Sequence, residues 1–135
     1  MKISTKGRYA IRIMADLAKN GRDDFISLKA VSARQNISAK YAEQIISILY
    51  KAGLVRSSRG PQGGYKLAVD ASKLSVGDIL RVAEGSLAPV ACLEDEENPC
   101  MHAEECITVD FWDNLYKLIN DYVDGVTLED ICKQE

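Results

Sequence analysis

Seven residues near the middle of the chain, R-G-P-Q-G-G-Y at positions 59 to 65, limit its fold more than any other stretch. Three glycines and a proline in seven positions can continue neither a helix nor a central strand, so they read as the tip of a reversal. The residues on either side, 54–58 and 65–68, read as two short strands. A small β-hairpin is therefore expected at this point, and what precedes it decides what kind.

Upstream lie two helices in quick succession. Ser27 is placed to cap a helix over 28–35, with Leu28, Val31 and Ala30 turned inward. Asn36 and Ile37 form a tight turn, Ser38 caps a second helix over 39–52, and Gly53 ends it. Ala42, Ile45, Ile46 and Leu49 form the buried stripe of that second helix, and Ala39, Lys40, Tyr41, Glu43 and Gln44 lie on its exposed N-terminal turns. Two helices joined this closely have the form of a helix-turn-helix, and a hairpin directly after them makes a winged helix. In such motifs the second helix enters the major groove, so Ser38, Lys40, Tyr41, Glu43 and Gln44 are candidate DNA contacts. Arg59 and Gln62 on the wing are candidates for the minor groove, whose narrow A·T tracts attract guanidinium. The plainer alternative is a surface hairpin that carries an isolated arginine.

Before this motif, Ser4 caps a first helix whose Ala10, Ile13, Met14 and Leu17 recur at helical spacing, with Gly21 as its stop. The opposite face carries Lys6, Arg8 and Arg12, either as a solvated face or as phosphate contacts. Charge supports the second use. Residues 1–73 hold 14 Lys and Arg against 5 Asp and Glu, and residues 74–135 hold 3 against 15. The overall charge of -3 hides a front half at +9 that suits a polyanion and a back half at -12 that would repel one.

Past the wing, Ser75 and Asp78 form a capping box for a helix over 76–84, closed by Gly85, whose Ile79, Leu80 and Val82 should pack on the winged helix. From about position 108 a long helix follows. Phe111, Leu115, Leu118 and Tyr122 step along it by four, three and four, with Trp112, Ile119 and Val123 beside them. Little chain remains to cover so wide a stripe, so a second copy is expected to do so, giving a two-fold dimer and a palindromic DNA site. The alternative is that the helix folds back on its own domain. Thr127 and Asp130 open a last short helix in which Cys132 reads as a small buried hydrophobe.

The fold class is thus mainly α with a small β-hairpin wing: a winged helix-turn-helix over 1–85, a cysteine-containing loop over 86–107, and a dimerisation helix with a C-terminal helix over 108–135. No run approaches the ~18 apolar residues of a membrane span and no leader is visible, which points to the cytoplasm. Catalysis is not expected: the single histidine has no evident nucleophile partner, and no phosphate-cradling glycine loop follows a strand.

The segments K-G-R-Y-A at 6–10, Y-A-E-Q at 41–44, G-L-V at 53–55 and R-G-P-Q-G-G-Y at 59–65 resemble the Rrf2 family of bacterial winged-helix regulators, over nearly the whole chain. The resemblance implies a homodimeric transcription factor on double-stranded DNA. Three branches of the family bear on the loop. The IscR-like and NsrR-like branches carry three cysteines before the dimerisation helix, here Cys92, Cys100 and Cys106, which implies a [2Fe-2S] cluster. A histidine three residues after the last cysteine completes the IscR-like site; Val109 stands there. An acidic residue of the partner's first helix completes the NsrR-like site, and Arg8 stands at that position. The CymR-like branch has no cluster and answers to a partner enzyme of cysteine synthesis; M-K-I-S-T-K-G-R-Y at the start and P-V-A-C-L-E-D-E-E at 89–97 resemble it more.

The residues themselves leave the loop open. Soft thiolates suit iron in a cluster, and three of them from one loop can wrap one edge of it. A Cys3His zinc site that includes His102 is chemically allowed, although seven and five intervening residues are unlike the short knuckles of structural zinc. Three reduced thiols, or thiols that oxidise as a signal, are the remaining readings.

Overall fold

Among the described residues, all the α-helices except α5 begin by one device. In the computed structural model, which describes residues 2–21, 24–94 and 106–133, a hydroxyl accepts a backbone N–H three residues on at five helix starts. Ser4 accepts from Gly7, Ser27 from Ala30, Ser38 from Tyr41, Ser75 from Asp78 and Thr127 from Asp130. At Ser75 and Thr127 the aspartate reaches back to the cap's own N–H, completing the expected capping boxes. The elements run α1 Thr5–Asn20, α2 Leu28–Gln35, α3 Ala39–Lys51, β1 Val55–Ser58, β2 Gly64–Leu67, α4 Val76–Glu84, a 3-10 turn Ala91–Leu93, α5 Val109–Gly125 and α6 Leu128–Cys132. This is a mainly helical chain with a two-stranded antiparallel hairpin, and the expected bounds hold to within a residue or so.

The turn between α2 and α3 rests on Asn36, which takes a left-handed conformation at φ 54°. Inside it, the buried Ser32 hydroxyl donates to Ile37 O at 2.7 Å. The hairpin pairs Val55 with Leu67 through Ser58 with Gly64. A single antiparallel bridge ties β2 to the segment before α2, because Ile26 and Tyr65 exchange backbone hydrogen bonds of 2.9 and 2.8 Å. A side chain at Gly64 would run into the Ile26 backbone, so glycine is required for this approach.

One core joins Ala10, Ile13, Met14 and Leu17 of α1 to Val31, Ile45, Ile46, Leu49, Val55, Leu74 and Ile79. Leu128 of α6 is fully buried in the same core, so the last helix returns to α1. Cys132, on that helix, is half-buried, donates weakly to Ala15 O at 3.7 Å, and burial pushes its thiol pKa up.

Two expectations about packing need correction. Leu80 does not face the winged-helix core; with Val76 and Leu87 it forms a second cluster against Tyr116, Ile119 and Val123 of α5, while Ile79 and Val82 pack on the first. The apolar residues of α5 therefore do not form one uncovered stripe: Ile119 and Val123 are held by α4. The helix period places 119 and 123 about a third of a turn from 118 and 122, which is enough to divide the stripe between two faces. Phe111, Leu118 and Tyr122 remain 62%, 67% and 73% exposed, and Ile107 just before the helix is 99% exposed.

Asp16 is the buried charge of the core wall. Arg34 clamps it through Nη2 to Oδ1 at 2.7 Å and Nε to Oδ2 at 3.0 Å, and Gln35 adds a bond of 2.8 Å, tying α1 to α2. Burial raises this carboxyl's pKa, but hydrogen bonds from Arg34 and Gln35 outweigh it and hold the group below the ordinary carboxylate range. The stabilisation is therefore complete above about pH 4, where an unfolded aspartate is also ionised, and is lost as pH falls through the lower folded value. An Arg34→Ala variant should be less stable by about 1 to 2 kcal/mol near neutral pH, a figure kept low because Arg34 is partly exposed. Urea unfolding at pH 7 and pH 3 should show that deficit narrowing in acid.

Candidate nucleic-acid interface

Helix α3 from Glu43 onward and the wing line opposite sides of one open groove. Glu43, Ile46, Ser47 and Tyr50 supply the helix side and Ser57, Ser58, Arg59, Gly64 and Tyr65 the hairpin side, around a volume of about 380 Å³. Ser38, Lys40, Glu43 and Gln44 are all exposed at the helix N-terminus, where the dipole favours phosphate. Arg59 and Gln62 are exposed on the wing, and Arg56 lies exposed on β1. Tyr41 differs from its neighbours: it is half-buried, with its ring edge-on to Tyr9 of α1 at 5.8 Å between centroids.

That aromatic contact sets α1 beside α3. Lys6 and Arg8 are exposed near Tyr9. Arg12, expected on the same basic face, has structural partners: its guanidinium lies 4.9 Å over the Tyr9 ring and donates to Gln35 O at 2.5 Å and to Gln35 Oε1 at 3.2 Å. It braces α1 against the end of α2. Lys66 on β2 is likewise placed over the Phe25 ring at 4.6 Å.

The cysteine segment follows α4 and precedes α5. Cys92 sits half-buried on the 3-10 turn after α4, and Cys106 is exposed just before α5. Cys106 Sγ lies 3.3 Å from Thr108 Oγ1; that hydroxyl, then the backbone amides of Thr108 and Val109, hold the thiol below its ordinary pKa. Cys100 and His102 lie outside the described residues, as does most of the acidic run. Among the described residues no group of three His, Cys, Asp or Glu side chains is placed to hold a metal. Val109 opens α5 with an aliphatic side chain and Arg8 is a cation, so neither can donate to a metal.

Several contacts between distant segments gave no sign in the sequence: Asp16 with Arg34, Glu84 with Ser4, and Arg81 with Asp124. Each joins residues 18 to 80 positions apart, and no periodicity encodes such pairs.

A family model described as an iron-dependent transcriptional regulator, Rrf2, matches residues 3–134. The chain belongs to the Rrf2 family. It is similar to the HTH-type transcriptional regulator CymR of Bacillus subtilis, with 43% identity over 132 residues, 98% of this chain and 90% of that one. The solved structure of CymR, titled the global cysteine regulator of B. subtilis, matches with a TM-score of 0.80 at 42% identity over 98% and 96% of the two chains. IscR of Vibrio campbellii is 37% identical over 98% of this chain and 78% of its own length. The structure of T. potens IscR matches with a TM-score of 0.78 at 41% identity over 98% and 87%. This Rrf2 chain is thus a winged-helix transcriptional regulator related to both IscR and CymR.

Proposed function

We propose that the protein is a homodimeric repressor that docks α3 in the major groove and the wing in the minor groove of a palindromic operator, and reads its signal at Cys92, Cys100 and Cys106. The observation that carries this is the placement of the two ends. A groove between α3 and the wing, with Arg59 on its hairpin side, is flanked by the exposed Lys40 and Arg56, and Cys92 and Cys106 both lie on the segment that joins α4 to α5. In this reading residues 1–85 bind DNA, 86–107 sense, and 108–135 hold the dimer. Lys6 and Arg8 contact phosphate, Ser38, Lys40, Glu43 and Gln44 face base edges with Tyr41 fixing their helix, and Arg59 and Gln62 belong to the wing.

Three thiols on one segment suit a [2Fe-2S] cluster, whose fourth ligand would have to come from elsewhere, His102 being one donor in reach by sequence. A bound cluster would supply a redox- and oxygen-sensitive tie across the loop. The chain's own part is to hold α5: Cys106 Sγ and Thr108 Oγ1 share a hydrogen bond before its first turn, and at the far end Arg81 grips Asp124. Whatever shifts α5 changes the relative placement of two winged helices in a dimer, and DNA affinity then follows the differential stability of the two arrangements.

Anaerobically purified protein should be coloured and contain iron and sulfide in equal amounts. A colourless, iron-free product from iron-replete cells would favour a second reading, in which the repressor lacks a cluster and answers to a partner enzyme of cysteine synthesis or to oxidation of Cys106. That reading draws on the 43% identity with CymR and on Val109 and Arg8, which vacate both familiar fourth-ligand positions.

A further inference from the structure

Helix α4 is clamped twice along its length. Arg81 donates to α5 at three points, Asp124 Oδ1 at 2.7 Å, Asp124 Oδ2 at 3.0 Å and Asn120 Oδ1 at 2.9 Å. One turn later, Glu84 Oε1 accepts from the backbone N–H of Ser4 at 2.9 Å and from its hydroxyl at 2.5 Å. The same Ser4 oxygen caps α1 by accepting from Gly7 N at 3.2 Å. A carboxylate therefore seats the first turn of α1 through its capping residue, where the helix dipole favours negative charge.

Gly7 is buried at this point, and a Cβ there would overlap the Glu84 carboxylate. Within K-G-R at 6–8, the glycine thus clears the approach of Glu84 while its two basic neighbours stay exposed. Both lie close to Tyr9, whose ring meets Tyr41 in the first turn of the recognition helix. The orientation of that turn decides where Lys6 and Arg8 present their charge.

We propose that Glu84 is a positioning residue for DNA binding: by holding Ser4 it fixes the first turn of α1 so that Lys6 and Arg8 meet the phosphate backbone beside α3. An acidic residue near a polyanion then strengthens binding. This rests on the docking proposed above, and the test separates the two.

The intact protein is titrated with a duplex selected from a random-sequence pool, over a series of salt concentrations. Glu84→Ala removes the acceptor, whereas Glu84→Gln keeps an Oε1 acceptor and loses the charge. Positioning predicts that Glu84→Ala binds more weakly, with a salt dependence of log K shallower by about one to two because one or two phosphate contacts are lost. Glu84→Gln should keep the parental slope and bind at least as tightly. If Glu84 acts only as a nearby negative charge, both variants bind more tightly, and the proposal is overturned; unchanged binding by Glu84→Ala overturns it too. Should Glu84→Ala fail to fold by circular dichroism, Ser4→Ala decides in the same way, weaker binding with a shallower slope supporting the proposal and unchanged binding overturning it. Salt-dependent binding by the parent alongside an indifferent variant rejects only the role of Glu84, whereas a parent that binds no duplex rejects the docking as well.

Discussion

A Leu118→Asp variant should be a folded monomer that has lost most of its DNA affinity. Leu118 is two-thirds exposed on α5, in line with the still more exposed Tyr122 and with Phe111. An aspartate there costs the isolated chain little, because the face of α5 that packs on α4 is the one bearing Tyr116, Ile119 and Val123. At a two-fold interface the same change places two carboxylates in an apolar contact, where unpaired charge is strongly disfavoured. A monomer engages one half-site and forgoes the second, intramolecular binding event, so affinity for a palindrome should fall about 10²- to 10⁴-fold. Sedimentation with an anisotropy titration would check both parts. A dimeric variant with parental affinity would show that the uncovered face serves something other than self-association.

The second large effect is expected at the wing. Arg59 is exposed next to Gly60, which turns the hairpin at φ 101°. Replacing it with alanine should leave thermal stability unchanged and weaken operator binding by about 1 to 3 kcal/mol, or roughly 5- to 150-fold, if the guanidinium enters a minor groove. The loss should be larger on operators with A·T tracts under the wing, since narrow grooves concentrate negative potential. An unchanged affinity on such operators would remove the wing from the DNA-contacting surface.

The parts of this fold that the sequence announces are those written in local chemistry. Ser27, Ser38 and Ser75 mark helix starts because a hydroxyl can satisfy an orphan N–H three residues on, and G-P-Q-G-G marks a reversal because few other residues tolerate it. The exposed set on α3 follows from the same helical period that buries Ile45, Ile46 and Leu49. Partners across the fold follow no such rule. The period gave α5 one broad apolar stripe, yet α4 takes Ile119 and Val123 and leaves Leu118 and Tyr122 uncovered, a division that depends on where α4 lies. Arg12 read as one of three equivalent cations, and only the position of Gln35 distinguishes it as a brace. The cysteines were plain as a cluster in sequence, but their chemistry turns on a fourth donor that no motif in this chain supplies.

If the state of Cys92, Cys100 and Cys106 sets DNA affinity through α5, iron-loaded and iron-free protein must bind the same operator differently. Anaerobically purified protein is titrated against its selected operator before and after removal of iron with a chelator, at one salt concentration. The two affinities should differ by about fivefold or more, the usual scale of coupling between two sites, with Cys106→Ser fixed near the iron-free value. Equal affinities for the iron-loaded and iron-free forms across all selected operators would contradict this coupling.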